Sequence, residues 1–287
     1  MIPMSIKRFL IFFVIGIPLF AFPQDSVRVL YKQADTALLY MDVHYPSGYQ
    51  EAAGLPAMVF FFGGGWNSGS IQQFRPHAEH FTKRGMVCFL VDYRVLKRHG
   101  TTPFDALTDA KSAMRYIRSH AADFHIHPDR IVGAGGSAGG HLAAATALID
   151  GHNDPGDDLS VSCKPNTLVL FNPVIDNGPD GYGYERIGDA YTGFSPMHAI
   201  QRGAPPTLFM VGTQDRLIPV ATAQRYQQLM EDVGSRCDLK LYEGATHGFF
   251  NFNKGQRYYA QTLRAADDFL VSLGVLKPDE KSSLDLH

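Results

Sequence analysis

A serine flanked by glycines, placed where a short apolar strand turns into a helix, constrains this chain more than any other stretch. Residues 130–141 read RIVGAGGSAGGH, and the helix-forming run LAAA follows at once. Strand and helix approach closely at so sharp a corner, so the neighbours two residues from the serine must lack side chains. Gly135 and Gly139 meet that need around Ser137. The turn therefore exposes the serine hydroxyl at a helix N-terminus, where backbone N–H groups stabilise developing negative charge.

Apolar strands alternate with helical segments along most of the chain. Continuous apolar runs at 57–62 and 86–93 indicate strands buried on both faces, and the alternating pattern at 38–45 indicates an antiparallel strand at the sheet edge. A long amphipathic helix is predicted over 104–124. The order predicts an α/β domain over residues 24–276, with a mostly parallel central sheet and helices on both faces, followed by a C-terminal tail at 277–287.

Two stretches interrupt this alternation. Residues 150–165 are polar and resemble a surface loop. Residues 172–206 are rich in Gly, Pro, Tyr and Asp and directly follow a predicted strand. A long segment at a strand end is commonly a lid or binding loop, so the second stretch is the stronger candidate for a functional role.

The first residues are typical of an export signal. Lys7 and Arg8 precede the apolar run Phe9 to Phe22, which is too short for a comfortable transmembrane span. We therefore predict a signal peptide at 1–23 and a periplasmic or secreted mature protein with no stable membrane span, the alternative being an uncleaved anchor. The net charge of −2 gives no indication of a nucleic-acid partner, and the oligomeric state is left open.

Two strand ends downstream carry the partners that a nucleophilic serine needs. A serine hydroxyl is a weak nucleophile at neutral pH, so a base must take its proton and a third group must orient that base. Asp215 follows the predicted strand 207–211 and His247 follows the strand 238–242. In open α/β sheets the catalytic and ligand-binding residues lie at the carboxyl ends of the strands. The order serine, acid, histidine predicts a catalytic triad of Ser137, Asp215 and His247.

Each of these features also has a plain structural reading. A glycine-rich turn can bind phosphate, an aspartate before a helix can cap it, and a histidine can be an ordinary loop residue. The three residues occur in the correct order, each after its own strand, and that combination favours the triad.

Backbone N–H groups for an oxyanion hole have two sources in the sequence. Ala138 follows the nucleophile, and three glycines follow the strand 57–62. Without a Cβ atom the main chain can turn toward a substrate oxygen, so we assign the N–H groups of Gly64 and Gly65 beside that of Ala138. Aromatic side chains are predicted to line the substrate pocket, with burial in the core as the alternative for each: Trp66, Tyr191, Phe249 and Phe250.

Four motifs together resemble the α/β-hydrolase superfamily: FGGGW at 62–66, GGSAGGHL at 135–142, GTQD at 212–215 and THGF at 246–249. Within it the chain is similar to bacterial feruloyl and acetylxylan esterases and to hormone-sensitive-lipase-type carboxylesterases, and it is akin to kynurenine formamidase. The resemblance spans about residues 27–273. One departure is Phe62, where the family usually has a histidine that supports the oxyanion loop.

The resemblance implies hydrolysis of a carboxylic ester by acyl transfer, without a cofactor. Together with export, it implies removal of acetyl or hydroxycinnamoyl groups from polysaccharides or a smaller ester. An exported peptidase or amidase of the same fold and a catalytically silent binding protein are the alternatives. The run HIHPD at 125–129 has metal-like spacing but falls in the predicted loop before the nucleophile strand, so no metal is expected. Cys88 is predicted to be buried, and pairing of Cys163 with Cys237 is left open.

Overall fold

One eight-stranded sheet runs through the computed structural model, which describes residues 26–279. In chain order the strands β1 to β8 are Val27–Ala34, Ala37–His44, Leu55–Phe61, Val87–Val91, Ile126–Gly136, Thr167–Phe171, Thr207–Gly212 and Cys237–Tyr242. The sheet order is β1-β2-β4-β3-β5-β6-β7-β8. The β1–β2 and β2–β4 pairs are antiparallel and the remaining neighbours are parallel, so the predicted mostly parallel sheet with an antiparallel edge is confirmed.

Helices cover both faces of the sheet. The helices α1 to α7 are Arg75–Lys83, Leu96–His99, Pro103–Ser119, Ala138–Leu148, Tyr184–Ile187, Val220–Asp232 and Gln256–Ser272. Successive side chains of a strand point to opposite faces, so Met58 and Phe60 of β3 pack in one core with α1 and α7. Val59 and Phe61 pack in the other core, with α3, α4 and α6.

The helix predicted over 104–124 is shorter in the structure. A capping box starts α3: Thr102 Oγ1 accepts the Asp105 N–H, and the Asp105 carboxylate accepts the Thr102 N–H at 2.9 Å. The helix ends at Ser119, and the next residues form turns that lead into β5. Phe124 is buried in the core although it lies outside the helix. The apolar side chain of Phe124 fits the helical periodicity and therefore lengthened the predicted helix. In the structure the chain leaves the helix after Ser119, because it must reverse direction to enter β5.

Three predictions concern compartment and redox state. Cys88, Cys163 and Cys237 are buried and free, so Cys163 and Cys237 do not pair. Between residues 26 and 279 no helix is both long and apolar enough to cross a membrane. The predicted signal peptide at 1–23 and residues 280–287 of the tail lie outside the described residues.

Candidate active site

A strained turn between β5 and α4 presents Ser137. Its backbone lies at φ 53° and ψ −121°, a conformation that L residues rarely adopt. A Cβ atom on Gly135 would lie 2.3 Å from the Gly139 carbonyl oxygen, and a Cβ atom on Gly139 would lie 2.0 Å from that of Phe61. These two positions accept only glycine, because β3, β5 and α4 are packed that tightly around the serine.

The three predicted triad residues come together at the carboxyl edge of the sheet. His247 Nε2 lies 2.9 Å from Ser137 Oγ, and His247 Nδ1 lies 2.8 Å from Asp215 Oδ2. The second carboxylate oxygen of Asp215 accepts the N–H groups of Leu217 at 2.9 Å and Ile218 at 3.0 Å. The Asp215 side chain is fully buried, whereas that of His247 is 23% exposed. Two backbone donors therefore fix the buried carboxylate, and the carboxylate in turn orients an imidazole that is partly exposed to solvent.

The glycine loop, residues 63–65, supplies backbone donors next to the serine. The Gly63 N–H is not free, because it donates to Gln73 Oε1 at 2.6 Å. The N–H groups of Gly64, Gly65 and Ala138 make no hydrogen bond to any residue between 26 and 279. Unpaired N–H groups beside a nucleophile are available to a developing oxyanion.

A segment of the long connection after β6 holds the outer side of the glycine loop. Arg186 Nη1 donates to the Gly65 carbonyl oxygen, and the guanidinium lies 5.4 Å from the Trp66 ring centroid. The Tyr182 hydroxyl would lie 2.6 Å from a Cβ atom on Gly65. The Trp66 ring also contacts His141 edge to face, with centroids 5.0 Å apart. The connection predicted to be functional thus lies against the glycine loop.

His141 at the start of α4 is a packing residue. Its Nε2 donates to the Phe194 carbonyl oxygen at 2.8 Å, and its ring stacks on that of Phe194 at 4.3 Å. Complete burial lowers its pKa to about 3, so the ring stays neutral. The ring therefore joins the nucleophile helix to the connection after β6.

Three of the four predicted pocket aromatics are core residues, which corrects that prediction. Trp66, Phe249 and Phe250 have exposed fractions of 1%, 4% and 1%, so they offer almost no surface to a ligand. The Phe250 ring fills the space beneath the nucleophile strand, 2.3 Å from where a Cβ atom on Gly136 would lie. Tyr191 is partly exposed and has ring contacts with Tyr184 and His198, so its role as a pocket residue stays a prediction.

Three side-chain amides at this edge were missed by the sequence reasoning. Asn172 directly follows β6, so the strand-end rule that found Asp215 would also have found it. Its Nδ2 lies 3.4 Å from His247 Nε2. Gln73 Nε2 donates to Asn251 Oδ1 at 2.9 Å across the site. No local pattern marks this last pair, because its members are 178 residues apart.

A groove of about 490 Å³ opens beside the glycine loop. Its lining includes the side-chain amides of Gln73 and Asn251 and one half-exposed aromatic ring, Phe252, which packs edge to face on Tyr259 at 5.1 Å. Within residues 26–279 no cluster of potential metal ligands occurs. Of the HIHPD run, only His125 lies in the turn before β5; residues 126–129 begin the strand, which corrects their placement in a loop. The groove residues are Gly63, Gly69, Ser70, Gln72, Gln73, Pro76, Asn251, Phe252, Asn253 and Lys254.

Two family models match successive parts of the chain. The model described as BD-FAE matches residues 41–179, and that of the dienelactone hydrolase family matches residues 183–272. The first contains the glycine loop and the serine turn, and the second contains Asp215 and His247. The two matches therefore meet in one site.

Known proteins similar to this chain are esterases. The acetylxylan esterase of Xylanibacter ruminicola is 27% identical over 78% of this chain, and the probable carboxylic ester hydrolase LipM of Mycobacterium tuberculosis is 28% identical over 76%. The matches cover 47% and 54% of these relatives, so the chain spans about half their length. Among solved structures, the apo form of Thermogutta terrifontis esterase 2 is 42% identical with a TM-score of 0.85, covering 89% of this chain and 97% of that one.

Proposed function

Because this chain belongs to the esterases of the α/β-hydrolase superfamily, we propose that it hydrolyses carboxylic esters through Ser137, His247 and Asp215. The observation that carries the proposal is the imidazole of His247, which lies within hydrogen-bond distance of both Ser137 Oγ and Asp215 Oδ2. Unpaired N–H groups of Gly64, Gly65 and Ala138 beside the serine support it. This arrangement is the one that acyl transfer requires.

The two halves of the reaction follow from the direction of these hydrogen bonds. A carboxylate only accepts, so His247 Nδ1 carries a proton and Nε2 is left to accept the Ser137 proton as Oγ attacks the ester carbonyl. The three free N–H groups stabilise the tetrahedral oxyanion. His247 then returns the proton to the departing alcohol. Water attacks the acyl-enzyme with His247 again acting as base, which releases the acid and restores the serine.

The proposal is tested by turnover of p-nitrophenyl acetate. We expect wild type to hydrolyse this ester and Ser137→Ala to lose the activity, with exposed Ser162→Ala as the control. Solved structures of Thermogutta terrifontis esterase 2 include one phosphorylated by paraoxon. Paraoxon should therefore add one phosphoryl group to wild type and none to Ser137→Ala, as measured by mass spectrometry. Folded but inert wild-type protein would contradict the proposal.

The finer proposal is that the leaving group is a sugar hydroxyl of an acylated polysaccharide, with an acetyl or hydroxycinnamoyl acyl group. The groove supports it, because amide side chains can hydrogen-bond hydroxyl groups and an exposed aromatic face can pack on a sugar ring. The similarity to an acetylxylan esterase supports the same substrate class.

The groove is tested with Phe252→Ala on two acetate esters. We expect kcat/KM on an acetylated xylo-oligosaccharide to fall about tenfold while that on p-nitrophenyl acetate changes little, because only the former fills the groove. Leu159→Ala, an exposed apolar side chain in the 150–165 loop, is the control. Equal losses on both esters would refute this placement of the sugar.

Export is also part of the proposal, on the basic and apolar character of residues 7–22. Edman sequencing of protein expressed in a bacterial host should give a mature N-terminus near Gln24. A cytoplasmic protein that retains Met1 would refute export without affecting the ester chemistry.

A further inference from the structure

We propose that three side-chain amides, those of Gln73, Asn251 and Asn172, are positioning residues that hold the two catalytic loops in one fixed relation. The two loops are the glycine loop, residues 63–65, and the histidine loop, residues 243–251. The inference rests on the proposed function, since it assigns the amides a role in that reaction. The role assigned to all three is to position the loops: Gln73 and Asn251 link the Gly63 N–H to the Gly248 carbonyl oxygen, and Asn172 accepts the Gly248 N–H.

The first part of the connection runs from the glycine loop across to the histidine loop. The Gly63 N–H donates to Gln73 Oε1 at 2.6 Å, and Gln73 Nε2 donates to Asn251 Oδ1 at 2.9 Å. Asn251 Nδ2 then donates to the Gly248 carbonyl oxygen at 2.8 Å. Gly248 is the residue that follows the catalytic histidine, so three hydrogen bonds join the two loops.

The second part fixes the other side of the same peptide. The Gly248 N–H donates to Asn172 Oδ1 at 3.1 Å, and Asn172 Nδ2 lies 3.4 Å from His247 Nε2. Asn172 is fully buried, and its own N–H is bonded at 2.7 Å to the Met210 carbonyl oxygen of β7. Both polar groups of Gly248 are thus held by amides, one of them anchored to the sheet.

The chemistry of the end groups determines how each amide is oriented. The connection starts at a backbone N–H, which only donates, and ends at a backbone carbonyl, which only accepts. The oxygen of Gln73 must therefore face Gly63, and the oxygen of Asn251 must face Gln73. Neither amide group can be flipped by 180°, because the flip would place two donors or two acceptors next to each other. Side chains that have both a donor and an acceptor are required at both positions.

Precise placement of the glycine loop matters for the reaction. A Cβ atom on Gly63 would lie 3.4 Å from Ser137 Cβ, so this loop packs directly on the nucleophile. Fixing the Gly63 N–H orients the peptides that follow, whose N–H groups are the oxyanion donors. A displacement of about 1 Å in such a site can cost about a hundredfold in rate. On a small ester that does not fill the groove, loss of these amides should therefore lower kcat and leave KM almost unchanged.

The test compares Gln73→Met with Gln224→Met. Gln224 is exposed on α6, outside the groove, and its side chain makes no hydrogen bond within residues 26–279. On p-nitrophenyl acetate we expect Gln73→Met to lower kcat ten- to a hundredfold with KM within about threefold, and Gln224→Met to change neither. Gln73 is partly exposed, so both variants should fold, which thermal unfolding checks.

A double variant and a readout that needs no activity complete the test. Asn251→Leu should lower kcat by a similar factor, and adding Gln73→Met should lower it little further, because either change breaks the same connection. Hydrogen exchange of the peptide 243–251 should rise in Gln73→Met and stay unchanged in Gln224→Met. This exchange measurement separates failure of the inference from failure of the proposed function.

Two results would overturn the inference. One is a kcat for Gln73→Met equal to that of Gln224→Met with unchanged exchange in the histidine loop. The other is a double variant whose loss equals the product of the two single losses. If wild type hydrolyses no ester but exchange in the histidine loop is still faster in Gln73→Met than in wild type, the connection between the loops stands and the ester chemistry is refuted.

Discussion

Single side chains in this site are constrained by the groups that surround them, and Asp215 is the clearest case. One carboxylate oxygen accepts two backbone N–H groups, from Leu217 and Ile218, and the other accepts from His247. Asp215 thus accepts two N–H groups of the turn before α6, which is close to the helix-capping role that the sequence analysis gave as the alternative. It also orients the catalytic histidine. The two roles do not compete, because a carboxylate has two oxygens.

Asp215→Asn should lower kcat about 10³- to 10⁴-fold with the fold intact. The two backbone donors fix the amide oxygen on their side, so the NH₂ group turns toward His247 Nδ1. The imidazole then carries its proton on Nε2 and cannot accept the proton of Ser137. Turnover of p-nitrophenyl acetate and thermal unfolding measure the two effects. Asp238→Asn, which removes a carboxylate paired with Arg236, is the control, and a comparable loss there would contradict the argument.

Asn172→Asp should move the acidic limb of the pH–activity profile upward by about one pH unit. The variant keeps the oxygen that accepts the Gly248 N–H, but it places negative charge where an NH₂ group now lies 3.4 Å from His247 Nε2. That charge favours the protonated imidazole, which is inactive as a base. The profile of kcat/KM between pH 5 and 9 checks it. Exposed Asn253→Asp adds the same charge in the groove and should leave the limb in place.

The position of the nucleophile Ser137 is set by the packing of secondary-structure elements rather than by single residues. The serine turn exists because β3, β5 and α4 converge on two residues that have no side chains. The same crowding explains why the sequence pattern of the turn is informative: the glycines are a packing requirement that local sequence displays.

Gly139→Ala should lower the free energy of unfolding by about 3 kcal/mol, because its Cβ atom would lie 2.0 Å from the Phe61 carbonyl oxygen. For a chain of this size that corresponds to a fall in melting temperature of about 5 °C. Thermal unfolding followed by circular dichroism measures it. Gly193→Ala is the matched control, since a Cβ atom there meets nothing within 4 Å. Equal stability of the two variants would refute the packing argument.

Across the whole molecule, buried ionisable groups make stability depend on pH. His77 lies fully buried among aromatic rings, and neither ring nitrogen has a hydrogen-bond partner within residues 26–279. Burial lowers its pKa to about 3. The unfolded chain binds a proton at this histidine below its ordinary pKa of about 6.5, whereas the folded chain does not. Folding stability is therefore lost as the pH falls below that value.

His77→Leu should weaken this pH dependence. Between pH 7.5 and pH 5.5 wild type should lose about 1.4 kcal/mol more stability than the variant, whatever the absolute stability of either. Urea unfolding at the two pH values measures the difference. His127→Gln, at an exposed histidine, should behave as wild type. An identical loss in wild type and His77→Leu would show that His77 is not the acid-sensitive group.

The sequence by itself determined the sheet, the serine turn and the choice of three triad candidates. Their signals are local: continuous apolar runs, glycines around a serine, and polar residues directly after strands. The periodicity failed at 120–124, where an apolar residue belongs to the core but not to the helix. The rule that polar residues directly after strands are candidate site residues would also have identified Asn172.

Only the tertiary structure decided which aromatic rings face a ligand and which amides join the loops. Burial is set by neighbours distant in sequence, so Phe249 and Phe250 could be assigned to the core only once α1 and β6 were packed against them. Gln73 and Asn251 meet because β3 and β8 end at the same edge of the sheet, although no pattern links them along the chain. Local sequence therefore specifies the reacting groups, and three-dimensional packing specifies what holds them in place.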